Sequence, residues 1–396
     1  MPVGQAFVPV TRADKGGSVV GNRGSRMSSE KQASSPADRL TSVDALRGFD
    51  MFWIIGGGEI VRGLFKALSL PVSNPLRHQF EHAEWIGFTA WDLIMPLFLF
   101  IVGTSIPLSF AKRLERGDTK RQIYLHVVRR IVILFVLGMV AQGNLLAFDL
   151  SKLHIYCNTL QAIACGYLIA SIAVLNVNIA WQGAITAGLL VLYWLLMMLV
   201  PVPGHGAGML TPHGNLAMYV DEIILRGFRD GTTYTWILSS LTFAATVLLG
   251  VMSGHLLRSK TSPQRKALLL LASGIAGVML GLVTSIWFPI IKHIWTSSFV
   301  LFSAGLSYLL LALFYWLTDM LGYRKWAFGF VVIGMNAILV YMVTRLIDFA
   351  DIVHALIGFV TAHIGVWNGV VEPTLGFAIV WLALFLMYRK RIFVKI

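Results

Sequence analysis

The chain has 396 residues, of which 57% are hydrophobic and only 13% are charged, and its mean hydropathy is +0.73. This composition excludes a soluble globular protein and indicates an all-α polytopic membrane protein. The two cysteines, Cys157 and Cys165, are too few for a disulfide framework or a four-cysteine zinc site, so no metal is expected.

The first 39 residues are polar, basic and rich in Gly and Ser. They lack the apolar core and small-residue cleavage site of a secretory signal peptide. The sequence therefore predicts a disordered cytoplasmic tail at 1–39, followed by one transmembrane domain at 40–396 whose first span acts as its own insertion signal.

Apolar runs near the length needed to cross a bilayer follow one another along this domain. A span needs about 20 residues because the hydrocarbon layer is about 30 Å thick. Ten such runs are predicted, at 46–66, 86–111, 124–142, 158–176, 182–201, 235–257, 267–288, 298–319, 328–346 and 374–388.

Lys and Arg residues concentrate in alternate connections between these runs, which marks the cytoplasmic side of a membrane protein. The distribution predicts that both termini are cytoplasmic, and it explains the net charge of +13 without a nucleic-acid partner. The positive segments contain Lys112, Arg113, Arg116, Lys120 and Arg121, then Arg258, Lys260, Arg265 and Lys266, then Arg324 and Lys325, and finally Arg389, Lys390, Arg391 and Lys395.

The other connections are then extracytoplasmic, and the longest is residues 202–234. It contains Gly, Pro, His and paired acids in place of a span. Loops of this length usually have a function. A surface cap over the bundle and a lid that binds the acceptor both fit this segment.

The second predicted span has a histidine, His82, just before it and a carboxylate, Asp92, inside it. An ionisable group at bilayer depth is costly and indicates a function. Ten residues correspond to about 15 Å along a continuous helix, so we expect that Asp92 does not orient His82 directly. Asp92 is instead expected to pair with another helix, either as a structural clasp or in the wall of a substrate site.

Several segments carry a family resemblance in the same order along the chain. They read SVDALRGFDM from Ser42, EHAEWIGFTAWDLIMPLFLFIVGTS from Glu81, LVPVPGHGAGMLTPHGN from Leu199, KHIWTSSFV from Lys292, GMNAILVY from Gly334 and YRKRIFVKI from Tyr388. Together they resemble the heparan-alpha-glucosaminide N-acetyltransferase family, which includes a lysosomal enzyme and bacterial relatives. The resemblance covers the chain from about residue 40 onward.

This resemblance implies transfer of an acetyl group from cytosolic acetyl-CoA to a glucosamine-type amine across the membrane, with His82 as the catalytic residue. The sequence departs from the family at Gln161–Ala162 and at Ile54–Ile55, where relatives have Gln-Arg and Asn-Tyr pairs. These departures concern the identity of the acceptor more than the reaction. The sequence lacks the long luminal domain of the lysosomal enzyme, which favours a bacterial inner membrane.

Acetyl transfer from a thioester needs a deprotonated nucleophile. A histidine titrates near neutral pH and suits a general base. An imidazole can also take the acetyl group itself and pass it on. The sequence leaves both roles open for His82.

The donor phosphates of CoA suit Arg and Lys side chains on the cytoplasmic side. Asp44 and Arg47 at the start of span one, and Arg129 and Arg130 in span three, are candidates for this site or positive-inside anchors. Asn336 in span nine can bind the amides of the pantetheine arm or another helix. Gly56, Gly57 and Gly58 allow close approach of that arm or of a neighbouring helix.

On the opposite side, Trp85, Asp92, Trp295 and Ser297 are the candidate substrate-binding residues. Trp295 fits either the interfacial belt of aromatic residues or a platform for a sugar ring. The partners implied are acetyl-CoA, an amino sugar and the lipid bilayer, and a homodimer stays open.

Three other functions are compatible with this membrane domain. The first is an O-acyltransferase that modifies a cell-envelope polysaccharide. The second is a small-molecule transporter, whose polar residues would line a substrate path, but no convincing inverted repeat is visible. The third is a scaffold without catalysis, which the ionisable residues around spans one, two and nine disfavour.

Overall fold

The computed structural model describes residues 40–394, so the tail predicted at 1–39 lies outside the described residues. Within the described range the chain forms fifteen α-helices and no β-strand. The prediction of an all-α membrane protein is confirmed.

Most of these helices are long and apolar. They are α1 (Thr41–Phe52), α2 (Gly58–Ala67), α3 (Pro75–His78), α4 (Ile94–Glu115), α5 (Lys120–Ala141), α6 (Thr159–Asn176), α7 (Ile179–Leu199), α8 (Leu216–Leu225), α9 (Ser240–Arg258), α10 (Pro263–Thr284), α11 (Ser297–Tyr315), α12 (Phe328–Gly334), α13 (Ala337–Leu346), α14 (Phe349–Thr361) and α15 (Asn368–Arg389).

By length and composition, eight helical segments in residues 40–394 are able to cross a membrane, or nine if α12 and α13 form one broken span. These two helices meet at an angle of 75°. The first predicted span is also divided, because a π-helical turn at Trp53–Gly57 separates α1 from α2. All ten predicted runs overlap helices of the structure, although several of those helices are broken.

The centre of the bundle is built on α4 and α9, which bury most of their side chains. They approach so closely that a Cβ atom on Gly250 would lie 2.0 Å from the carbonyl oxygen of Phe100. Small residues permit this kind of backbone contact between membrane helices. By contrast, α10 keeps Leu268, Ile275 and Met279 exposed, as expected for a helix that faces lipid.

Two segments predicted as loops contain helices. The 202–234 segment includes α8, whose N-terminus is capped by the Asn215 side chain. The 347–373 segment includes α14 and the first turns of α15, and these two helices form an antiparallel pair. The sequence analysis did not predict α14 because Asp351 and His354 are polar, although the residues around them are apolar.

The second predicted span begins later than expected. Residues 82–89 are not helical, a 3₁₀ turn follows at Ala90–Leu93, and α4 starts only at Ile94. Thr89 has an extended backbone conformation and caps this turn. The chain before Thr89 is therefore free to fold back over the end of α4.

Candidate active site

His82 and Asp92 are in direct contact. His82 Nδ1 lies 2.7 Å from Asp92 Oδ1, so the prediction that Asp92 does not orient His82 is wrong. That prediction assumed a continuous helix between the two residues, whereas the nonhelical segment before Thr89 brings the imidazole back to the carboxylate. The sidechain of Asp92 is 1% exposed, and that of His82 is 45% exposed.

Both oxygens of the buried Asp92 carboxylate have hydrogen-bond partners. Its Oδ2 accepts hydrogen bonds from the backbone N–H of Ala83 at 3.2 Å and of Thr89 at 3.1 Å, and from the Thr89 hydroxyl at 3.1 Å. These donors offset the cost of burying a charge. They also fix the carboxylate, so that Oδ1 faces His82.

Lys292 is the third member of this cluster, and it was not predicted as a site residue. Its ammonium lies 3.2 Å from Asp92 Oδ1 and 3.0 Å from His82 Nδ1. The residue is only 6% exposed. A nearly buried lysine requires a partner, and the KHIWTSS segment gave no indication that its partner lies 200 residues earlier in the sequence.

A short backbone contact brings the two loops together. Ile86 and Ile291 form an antiparallel β-bridge, and the backbone N–H of Gly87 donates to the carbonyl of Ile290 at 2.9 Å. The loop before α4 is thereby joined to the loop before α11. This connection positions Lys292 beside His82.

The cluster opens into a cavity of about 400 Å³, a size typical of small-molecule sites. Its walls come from α1, α2, α4, α5, α6, α13 and the loops before α9 and α11. Its lining includes both polar and apolar residues. The polar set includes Glu59, Arg62, Gln142, Asp230, Tyr234 and Arg345, and the apolar set includes Met51, Ile54, Met95 and Phe98.

Arg62 is placed by two contacts at the edge of this cavity. It forms an ion pair at 2.6 Å with Glu59, which lies three residues earlier on the same helix face. Its guanidinium also lies 4.3 Å from the centre of the Trp91 ring. The ring of Trp91 in turn packs against Gly58, where a Cβ atom would lie 2.2 Å from it.

The segment 229–239 forms another wall and is tied to α8. Asp221 of α8 accepts hydrogen bonds from the backbone N–H of Trp236 at 2.7 Å and of Ile237 at 2.9 Å. Because Asp230, Tyr234 and Trp236 line the cavity, this part of the long loop contributes to the site. The interpretation of this loop as an acceptor-binding lid stays a prediction.

The pKa values of two basic residues in this region, Lys292 and His293, are lowered. Burial lowers the pKa of the Lys292 ammonium, and the carboxylate of Asp92 opposes this effect. Burial and the neighbouring Lys292 lower the pKa of His293 to about 4, so His293 is neutral at physiological pH. Its ring stacks on Tyr234 with a centroid distance of 4.2 Å.

The predicted donor residues lie away from this cluster and do not form one group. Arg47 bonds Asp44 at 3.2 Å and the Ser105 hydroxyl at 2.8 Å. Arg130 lies over the ring of Tyr167 at 4.6 Å, whereas Arg129 is exposed on α5. Asp44 and Arg47 belong to α1, which lines the cavity through Met51.

Asn336 lies at the break between α12 and α13 and is 1% exposed. Its amide donates to the carbonyl of Ile392 at 3.2 Å and accepts from the backbone N–H of Val394 at 2.9 Å. The side chain therefore holds the segment 392–394 in the structure, and its contact with the pantetheine arm stays a prediction.

The predicted acceptor residues have different surroundings. Trp85 is partly buried and donates its indole N–H to the carbonyl of Leu210 at 2.8 Å. Trp295 is 2% exposed and packs against Phe243 and Phe299, which leaves no open face for a sugar ring. Ser297 is also buried and donates to the carbonyl of Leu190 at 2.7 Å. Neither Trp295 nor Ser297 lines the cavity.

Comparison with known proteins gives the following matches. A family model described as a domain of unknown function (DUF5009) matches residues 39–206. The heparan-alpha-glucosaminide N-acetyltransferase of Mus musculus is 25% identical over 369 residues, which are 78% of this chain and 53% of the mouse protein. The human protein of the same name is 25% identical over 365 residues, which are 77% of this chain and 52% of the human one.

This chain thus spans about half the length of the curated relatives that it matches. The matches confirm the resemblance carried by the sequence motifs, and they agree with the apolar helices of the structure. The chain is an integral membrane protein, and its sequence is similar to the heparan-alpha-glucosaminide N-acetyltransferases of mouse and human.

Proposed function

We propose that this protein transfers an acetyl group from acetyl-CoA to the amine of an amino sugar, and that the reaction takes place at His82. The observation that carries the proposal is an imidazole held at Nδ1 by a buried carboxylate at 2.7 Å, beside a cavity of about 400 Å³. The names of the relatives support an acetyltransferase.

The arrangement provides a base for direct transfer. With Nδ1 occupied, Nε2 of His82 is the ring nitrogen left to accept a proton. The acceptor amine attacks the thioester carbon, the new C–N bond forms, and the C–S bond breaks. His82 takes the proton lost by the amine and returns it to the departing thiolate, which leaves as free CoA.

The same geometry permits a two-step route. Nε2 attacks the thioester carbon, CoA leaves as a thiolate, and an acetyl-imidazole forms on His82. The amine then attacks that acetyl carbon and breaks the C–N bond to the imidazole. The proton released by the amine passes to the thiolate left from the first step, so that both routes give the same products.

The apolar residues that α1 and α4 contribute to the cavity wall support entry of the donor between these two helices. This apolar set includes Met51, which lies one helical turn, about 6 Å, beyond Arg47. A slender pantetheine arm fits an apolar passage of this kind, and Arg47 at its far end suits a phosphate. The positively charged connections lie at that end of α1 and α4, which we assign to the cytoplasm.

The polar and aromatic residues of the cavity wall support an amino-sugar acceptor. Tyr234 and Trp236 provide aromatic surface, and Glu59 and Asp230 provide carboxylates for an ammonium group before it loses its proton. We place the bound acceptor outside the cytoplasm and the protein in a bacterial inner membrane.

A transfer assay with purified protein, radiolabelled acetyl-CoA and glucosamine tests this proposal. The parent should label glucosamine and His82→Ala should not, whereas His78→Ala, an exposed histidine just before the site, should match the parent. Incubation without acceptor separates the two routes, because only the two-step route leaves label on His82. Absence of transfer by the parent, or equal transfer by His82→Ala, would refute the proposal.

A further inference from the structure

Tyr234 lines the cavity together with His82 and Lys292. Its hydroxyl makes no hydrogen bond within residues 40–394, yet it is not one of the buried unpaired polar atoms of that range, so it is open to the cavity. We propose that this hydroxyl is a catalytic donor that binds the carbonyl oxygen of the thioester during acetyl transfer. The inference rests on the proposed function and gives the long loop before α9 a specific part in the reaction.

The other buried tyrosines show what is unusual about this hydroxyl. A buried tyrosine hydroxyl usually has a hydrogen-bond partner in the protein. The hydroxyl of Tyr308 donates to the carbonyl of Leu249 at 2.7 Å, and that of Tyr156 lies 2.9 Å from the Ser240 hydroxyl. Tyr234 has no such contact in the described part of the chain, which leaves its hydroxyl available to a ligand.

Both routes of acetyl transfer need a donor at the carbonyl oxygen. When a nucleophile bonds to the thioester carbon, the electron pair of the C=O double bond moves onto the oxygen, which becomes negatively charged. The C=O bond forms again when the C–S bond breaks and CoA leaves. A fixed donor stabilises the charged oxygen more than the neutral carbonyl and so lowers the barrier. A tyrosine hydroxyl can act in this way without giving up its proton.

The position of Tyr234 is fixed by the segment that carries Lys292. The Tyr234 ring stacks on the His293 ring with a centroid distance of 4.2 Å and an angle of 8° between the planes. The backbone N–H of Thr235 donates to the carbonyl of His293 at 3.0 Å, and the Thr233 hydroxyl lies 2.6 Å from His293 Nδ1. Because His293 directly follows Lys292, these contacts hold the tyrosine beside the ion-pair cluster. A donor held in place needs no reorganisation when charge develops on the substrate.

Electrostatics keep the hydroxyl protonated. Burial, with a contribution from the Asp92 carboxylate, raises the pKa of Tyr234 to about 12. The hydroxyl is therefore a donor at physiological pH. The effect of Asp92 also places Tyr234 within electrostatic range of the cluster.

Two cationic donors of the cavity wall are already bound to carboxylates. Lys292 lies 3.2 Å from Asp92 Oδ1, and Arg62 lies 2.6 Å from Glu59 Oε1. A developing oxyanion would have to compete with these carboxylates for either cation. The unpaired hydroxyl of Tyr234 has no partner to give up.

The Tyr234→Phe variant tests the inference, because it removes the hydroxyl and keeps the ring that stacks on His293. Initial rates are measured with full-length protein in lipid nanodiscs, over a range of acetyl-CoA and glucosamine concentrations. The kcat should fall by about 10²–10³-fold, as for other single oxyanion donors, and both KM values should stay unchanged. Tyr219→Phe, in α8 and outside the cavity lining, is the matched control and should behave like the parent.

Two kinetic results would overturn the role of Tyr234. One is an unchanged kcat in Tyr234→Phe, and the other is a loss confined to the KM for glucosamine, which would indicate a contact with the acceptor instead. Thermal unfolding provides an independent check. The variant should unfold at the temperature of the parent, since the hydroxyl has no partner to lose in the described part of the chain. A lower unfolding temperature would show a structural role and would also overturn the inference.

Binding of a ketone analogue separates this inference from the proposed function. In trifluoroacetonyl-CoA an activated ketone takes the place of the thioester, and its hydrate imitates the tetrahedral intermediate. The parent should bind this analogue about ten- to hundredfold more tightly than CoA, and Tyr234→Phe should lose that preference. Such a loss without acetyl transfer by the parent would refute glucosamine as the acceptor and retain the role of Tyr234. Transfer by the parent, with the same preference in both proteins, would retain the enzyme and overturn the role of Tyr234.

Discussion

Asp92 illustrates how single residues define this site. Its carboxylate is buried at the start of a membrane helix, where three donors hold one oxygen and two ionisable groups meet the other. Removal of one member of a buried ion pair leaves an uncompensated charge, which costs more than removal of both. Asp92 and Lys292 should therefore be energetically coupled.

The Asp92→Asn variant should lose about 10²–10⁴-fold in acetyl transfer, because the imidazole loses the anion that orients it and stabilises its protonated form. It should also lose about 3–5 kcal/mol of stability, since Lys292 is then buried without a counter-ion. Unfolding in detergent and initial rates measure the two effects.

The Asp92→Asn/Lys292→Met double variant is the matched control for this coupling. It should be more stable than Asp92→Asn alone, although it remains inactive. A double variant that is destabilised by the sum of the single effects would contradict a direct interaction between the two residues.

The sequence identified one of the three clustered residues as catalytic. His82 stands in a motif of the family, whereas the role of Asp92 was misjudged because hydropathy does not show where a helix begins. Lys292 was missed because its partners lie 200 and 210 residues earlier in the chain. No periodic pattern connects positions that meet only through the packing of separate loops.

At the scale of secondary structure, hydropathy located the long helices, and polar side chains determined how they are broken and connected. Asn336 at the bend between α12 and α13 binds the backbone at both Ile392 and Val394. Asp221 of α8 holds the segment that carries Trp236. Neither contact follows from composition, since each joins a side chain to the backbone of another element.

Replacing Asn336 by Ala should release the segment 392–394, because two side-chain hydrogen bonds to its backbone are lost, at a cost of about 1–3 kcal/mol. Trypsin should then cleave faster after Lys390 and Arg391, while the KM for acetyl-CoA stays unchanged. A large increase in that KM with no change in proteolysis would instead favour the ligand contact expected from the sequence.

The anchor at Asp221 makes stability depend on pH. Burial raises the pKa of its carboxyl to about 6, above the ordinary value of 3.8. Between these values the folded chain keeps a proton that the unfolded chain releases, so this group should lower the unfolding free energy by up to about 3 kcal/mol as pH rises from 4 to 7.

Thermal unfolding of the parent and Asp221→Asn across this range measures the effect. As pH rises from 4 to 7, the unfolding free energy of the parent should fall relative to that of Asp221→Asn. Glu222→Gln is the neighbouring control, because its side chain is 51% exposed, and it should follow the parent. A parallel pH dependence in the parent and Asp221→Asn would contradict the burial effect.

For the whole molecule, the side of the membrane on which the acceptor is acetylated depends on which end of the bundle faces the cytoplasm. The charges of 112–121 and 258–266 lie at one end, and the cavity with His82 opens at the other. If the proposed orientation holds, a cysteine at Gly204, in the 202–234 loop, should react with a membrane-impermeant maleimide in intact cells, whereas one at Lys260 should react only after permeabilisation. The reverse pattern would place the acceptor site in the cytoplasm.

The most direct measurement of the central claim uses sealed vesicles that contain the protein, with labelled acetyl-CoA on the side of the positive loops and an impermeant amino sugar on the other side. Labelled amino sugar should accumulate opposite the donor with the parent and with His78→Ala, and it should be absent with His82→Ala. Equal accumulation with His82→Ala would contradict transfer at His82, and absence of label with the parent would contradict transfer across the membrane.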